Sequence, residues 1–192
     1  KGAIIELNSE TDFVARNEVF QSVAETICGI AIEKNGDLEA IKNANYPGGG
    51  SVTDQLTHQI ATIGENMNLR RSCVLGVDTG IICSYIHNAV KPNLGKIGVL
   101  VALESTAGSQ QLETLGKQIS MHVAAANPLA MSRSDINEAD LNRERTILTE
   151  QAKESGKRVH QLPDVELTAA CLSRRRCSAS ASAFVVKTWP LI

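Results

Sequence analysis

Aromatic residues are scarce in this chain of 192 residues: three Phe, two Tyr and one Trp make up 3% of it. A core drawn from such a composition is aliphatic, built from Ile, Leu, Val and Ala. An excess of one charge is also lacking. The formal net charge is −2, which exerts no general pull toward nucleic acid or anionic membranes. No apolar run approaches the ~18 residues of a membrane-spanning helix. Cysteine is present but unpatterned. Cys28, Cys73, Cys83, Cys171 and Cys177 are odd in number, and no pair has C-x-x-C spacing, so a reduced, cytosolic setting is expected. His58, His87, His122 and His160 form no H-E-x-x-H pair, and neither a metal nor a cofactor is expected. No G-x-S-x-G elbow, Walker loop or paired-carboxylate motif occurs. Gly48-Gly49-Gly50 precedes a helical pattern but lacks the lysine and the preceding buried strand of a phosphate cradle. It reads as a connector.

What is present is an α+β pattern. Gly2 to Ser9 (GAIIELNS) reads as an Ile-rich strand, and Ser9 with Asp12 resembles a capping box that opens a helix. Apolar residues then recur at Phe20, Val23, Ala24, Ile27, Ile30 and Ala31, a helical stripe ended at Gly36-Asp37. Ser51, again with an Asp three residues on, opens a second helix with Val52, Leu56, Ile60, Ile63 and Met67 on one face. Three strand-like runs follow, RRSCVLGV, IICSYIH and GKIGVLVALES, separated by turn residues at 78–80 and 92–95. Their spacing predicts a succession of antiparallel hairpins. A third helix carries Leu112, Leu115, Ile119, Val123 and Ala126 and stops at Asn127-Pro128. A fourth, highly charged, runs from about Ser134 to Ser155, with Gly156 as its cap. Gly2–Ser9 and Phe20–Ile27 align faintly with Gly98–Ser105 and Leu112–Ile119. The reading is therefore α+β: two related subdomains of antiparallel strands packed with amphipathic helices. Their expected ranges are 1–90 and 91–157.

One junction stands out, Ser9-Glu-Thr-Asp-Phe-Val-Ala-Arg-Asn17, where an acidic residue and a large aromatic meet at a strand-to-helix passage. The pattern leaves two readings open. Asp12 could complete a helix cap while Phe13, seven residues before Phe20, joins the core. Alternatively, the tip presents a carboxylate and an apolar wedge to a partner.

The string NSETDFVARNEVF resembles the corresponding segment of the elongation factor Ts family. IATIGENMNLRR (60–71), GKIGVLVALES (95–105), KQISMHVAAANP (117–128) and ERTILTEQAKESGK (144–157) are similar to further segments of that family, in order. The resemblance covers about residues 1–157. It implies a guanine nucleotide exchange factor that promotes GDP release from elongation factor Tu. Thr11, Asp12, Phe13 and Val14 would form the turn that enters the partner's G domain. Phe13 would be the wedge, and Asp12 would disturb the magnesium-water shell. Ile97, Gly98 and His122 match further contact positions. The family resemblance implies no bond-making chemistry, no nucleic acid, no membrane and a bacterial cytoplasmic location, an organellar one being the other option.

Two departures accompany the resemblance. The chain begins at Lys1 on a strand pattern without an initiator Met, so a fragment lacking the family's N-terminal helical module is expected. Residues 158–192 bear no likeness to the family and carry Arg174-Arg175-Arg176, then SASASA. No helical or strand period is read there, and a disordered or out-of-frame tail is expected. Two competing functions follow: a module that binds elongation factor Tu without exchange, because flanking modules are missing, or a hydrolase using Cys83 and His87. The latter two share a strand face but have neither an orienting acid nor an oxyanion loop.

Overall fold

The computed structural model describes residues 1–128, 137–154 and 183–187. The chain divides into two compact units, Lys1–Ala125 with Ala181–Ile192, and Ala126–Ser180. In order, the elements are β1 (Gly2–Ser9), α1 (Asp12–Ala15), α2 (Glu18–Glu33), α3 (Leu38–Lys42), α4 (Val52–Ile63), β2 (Met67–Leu75), β3 (Gly80–Lys91), β4 (Leu94–Glu104), α5 (Ser109–Ala126), α6 (Glu138–Glu154) and β5 (Ala183–Lys187). The fold is α+β, with a two-stranded sheet β1-β2 and a three-stranded sheet β3-β4-β5, both antiparallel. The 90–91 division expected from sequence falls at the end of β3. Gly156, His160, Cys171, Arg174–Arg176 and Cys177 lie outside the described residues.

Helix α2 organises the core. Every residue of its predicted stripe, from Phe20 to Ala31, is buried, and Ile27 and Ala31 are wholly inaccessible. They pack with Leu7, Ile41, Val52, Leu56, Met67 and Leu69 from the neighbouring elements. Helix α4 begins as the sequence predicts. Ser51 and Asp54 form a reciprocal capping box, and Gly64 closes the helix with a left-handed φ of 83°. Met67, expected on this helix, instead starts β2 and enters the same core. The short α3, capped by Asp37, was not foreseen, because five residues are too few to show a period.

The strand order differs from the predicted succession of hairpins. β3 and β4 do form a long hairpin, from Gly80↔Glu104 to Lys91↔Leu94. β2, however, pairs with β1 rather than with β3, in a register from Gly2↔Leu75 to Ser9↔Met67. The reason lies in Glu6, a carboxylate only 4% exposed. A charge withdrawn from water needs a counter-charge, and β2 supplies two. Arg71 Nε lies 2.7 Å and Arg70 Nη1 3.2 Å from the Glu6 oxygens. Sequence adjacency of β2 and β3 loses to this long-range pairing.

Gly98 to Leu103 of β4 are all buried, as expected of a strand covered on both faces. On one side Leu100 approaches Gly2 of β1; on the other, Leu103 and Cys83 meet Gly116 of α5. This close approach rotates the α5 contact face. Leu112, Gly116, Ser120 and Val123 are buried, whereas the predicted Leu115 and Ile119 are half-buried and Ala126 is exposed. Residues 158–192 also hold a local surprise. Ala183–Lys187 forms β5 and pairs along β4 from Val99↔Lys187 to Leu103↔Ala183, where no strand was read. Its AFVVK run is short but rich in strand formers. In the second unit α6 starts at Glu138 rather than 134, where Asn137 Oδ1 accepts from the Ala139 amide at 3.0 Å.

Two glycines test this packing. A Cβ at Gly116 would collide with the Cys83 side chain, whereas one at Gly29, inside α2, would meet nothing. Gly116→Ala should therefore lower unfolding stability by about 1–3 kcal/mol. Gly29→Ala should raise it by about 0.5–1 kcal/mol, the helix-propensity gain. Urea unfolding curves of the two variants should shift in opposite directions.

Candidate functional site

The antiparallel register of β1 and β2 builds the site. Because Ser9 lies opposite Met67, the residues just past β1 come beside those just before β2. Glu65 is one of these, and its carboxylate takes both donors of Thr11. The Thr11 amide reaches Oε2 at 3.1 Å, and the hydroxyl reaches Oε1 at 2.7 Å and Oε2 at 3.0 Å. The grip is charge-assisted, and the capping box predicted from Ser9 and Asp12 does not form, because Ser9 ends β1 and Thr11 takes the N-cap position. The Ser9 hydroxyl donates instead to the Thr11 carbonyl at 3.1 Å, and α1 has no side-chain cap.

The turn then splits its side chains between interior and solvent. Val14 is buried and belongs to the core with Phe20 and Met67. Phe13 is 85% exposed. It shares no face with Phe20, because the helix is interrupted between them. Arg16 ends α1, and Asn17 starts α2 by accepting from the amides of Val19 and Phe20 at 2.8 and 3.3 Å. Helical phase is lost at that break, so a seven-residue spacing no longer implies a common stripe. Gln21, itself buried, secures the end of α1 by donating to the Ala15 carbonyl at 3.0 Å.

The Asp12 carboxylate points at β4. Lys96 Nζ donates to both its oxygens, at 2.9 and 2.8 Å. This hydrogen bond, reinforced by the charge of Lys96 and more weakly by that of Arg16, holds Asp12 below its ordinary pKa of 3.8. Asp12, Arg16 and Lys96 border an open cleft of about 1030 Å³, shared with Ala24, Ile82 and Leu100. Gly98 lines it too, on the same strand face as Lys96, while Ile97 alternates to the other face opposite His87. Thus Glu65 holds Thr11, while Asp12, Lys96 and Gly98 border one cleft. His122 is separate, exposed on α5 next to Met121, itself 47% exposed. Glu65 and Lys96 escaped sequence reasoning. Both fall inside recognised segments, but nothing in their spacing marks them as partners of the turn.

Other chemistry finds less support. Cys83 and His87 share a strand face but lie four residues apart, roughly 13 Å at strand rise. Burial, then the nearby Glu113 charge, raises the Cys83 thiol pKa, which disfavours a nucleophile. His87 Nδ1 sits 3.2 Å from the Tyr85 hydroxyl. Among the described residues no group of three or more His, Cys, Asp or Glu could hold a metal, and no helix is long and apolar enough to cross a membrane.

A model of the family described as Elongation factor TS matches residues 10–165. Over 158 residues the chain is 56% identical to an elongation factor Ts of Rhodospirillum rubrum, an overlap of 81% of this chain and 51% of the relative. For the elongation factor Ts of Zymomonas mobilis the identity is 55% over 157 residues, 82% of this chain and 51% of the relative. For that of Rhizorhabdus wittichii it is 46% over 186 residues, 97% of this chain and 61% of the relative. The chain thus spans about half the length of the first two relatives.

The Asp12–Lys96 pair has a measurable signature. A carbon-detected NMR titration should place the Asp12 midpoint below 3.8, rising toward that value in ~1 M salt, where the Debye length is only ~3 Å. Because the folded pKa is depressed, the pair favours folding above the unfolded value. That contribution is lost as pH falls through the folded midpoint. A midpoint at or above 3.8 contradicts the ion pair in solution.

Proposed function

The chain belongs to the elongation factor Ts family, and on that footing we propose that it promotes GDP release from elongation factor Tu by inserting the Thr11–Val14 turn into the partner's G domain. One observation carries the reading: a phenyl ring 85% exposed, beside a charged carboxylate, on a turn whose backbone is held by Glu65 and by buried Val14. Burying such a ring in a partner is worth about 1.5–3 kcal/mol. In a close-packed G domain its volume must displace something. The Asp12 carboxylate competes for the waters and cation that hold the diphosphate. Ile97, Gly98 and His122 are proposed as further contacts. No covalent step is required. A factor that binds the empty partner more tightly than the loaded one weakens nucleotide binding by the same ratio.

A second reading is docking on elongation factor Tu without exchange. Release of a fluorescent GDP from purified elongation factor Tu separates the two. Exchange predicts acceleration by the 192-residue chain. Phe13→Ala and Asp12→Ala should each reduce that acceleration at least about tenfold, ~1.4 kcal/mol of coupling. Their unfolding midpoints should change little, since both side chains are exposed. Binding with no acceleration supports the docking module.

A further inference from the structure

We propose that Lys96 is a positioning residue for exchange, fixing the direction of the Asp12 carboxylate relative to the strand that carries Ile97 and Gly98. This rests on the exchange reading above. Thr11 and Val14 are held by Glu65 and the core, which sets the backbone of the turn but not the Asp12 side chain. That side chain is 54% exposed, and among the described residues its hydrogen-bond partner is Lys96, whose Nζ engages both oxygens across 84 residues of sequence. Lys96 directly precedes Ile97 and Gly98 in β4. The pair therefore ties the turn to the strand that carries two further proposed contacts, of which Gly98 shares the Lys96 face.

The energetics suit a guide rather than a lock. An exposed ion pair is weak, so docking can exchange Lys96 for groups of the partner without a large barrier. What the pair removes is rotamer freedom, which would otherwise be lost on association. It also holds the carboxylate on the side of β4. Arg16 bears on the same carboxylate by charge but makes no such two-oxygen contact. Lys96 thus acts through Asp12 and touches neither nucleotide nor metal.

The test is stopped-flow release of fluorescent GDP from elongation factor Tu by the full chain, as wild type, Lys96→Met, Lys96→Arg, Asp12→Asn and the Asp12→Asn/Lys96→Met double variant. Lys96→Met should slow release roughly three- to tenfold, the order of freezing one side chain. Its unfolding midpoint should change little, as for an exposed ion pair. Lys96→Arg should restore most of the rate, because its guanidinium also meets a carboxylate with two donors. In the Asp12→Asn background the Lys96→Met change should have no further effect. The inference is overturned if Lys96→Met exchanges like wild type, or if it slows the Asp12→Asn variant as much as it slows the parent. A wild-type chain that accelerates nothing overturns the exchange reading and this inference with it. A wild type that accelerates, with Lys96→Met equally fast, overturns this inference alone.

Discussion

Glu65 gripping Thr11 is the constraint on which the site depends. A short turn leaving a two-stranded sheet has few backbone partners of its own, and α1 is only four residues long, too short to sustain itself as a helix. With the Thr11 amide and hydroxyl both ending on one carboxylate, the turn starts from a fixed point. Val14 in the core fixes a second point three residues later. Between the two, Asp12 and Phe13 have little choice but to face outward. The pairing of β1 with β2, secured by Glu6 and its two arginines, is what brings Glu65 within reach at all.

This arrangement reverses the usual placement of side chains. Large apolar residues normally go inward, and an exposed phenyl contributes nothing to the folded state. Here the neighbouring Val14 takes the interior position, and the aromatic remains on the surface. Asp12 likewise gives up any local role at the helix start and engages β4. Both features cost the isolated protein little, since exposed groups are near-neutral for stability. They leave a charged and an apolar group side by side on the surface.

Much of the scaffold was legible in the chain. The α2 stripe from Phe20 to Ala31 buries every predicted residue, because a long amphipathic helix writes its period plainly. Ser51 with Asp54 makes the capping box its spacing announces. The identical spacing at Ser9 and Asp12 does not, since Ser9 still belongs to β1 and Lys96 claims the Asp12 carboxylate. That contrast marks where one-dimensional reading stops: a local motif forms only when no distant partner offers a better bond. The same reason hid the β1-β2 pairing and the rotated face of α5, where Gly116 lets Cys83 approach. The turn stands out in the chain as an acidic–aromatic junction, whereas its contacts with Glu65 and Lys96 do not, because pairs 54 and 84 residues apart leave no periodic trace.

The interruption at Arg16 and Asn17 makes the protruding segment modular. Since α2 begins afresh with its own cap, the register of the large core helix does not depend on how many residues precede it. A residue gained or lost in the small loop would re-aim the projecting ring without turning the buried stripe out of the interior. Selection could thus tune the probe and its foundation separately.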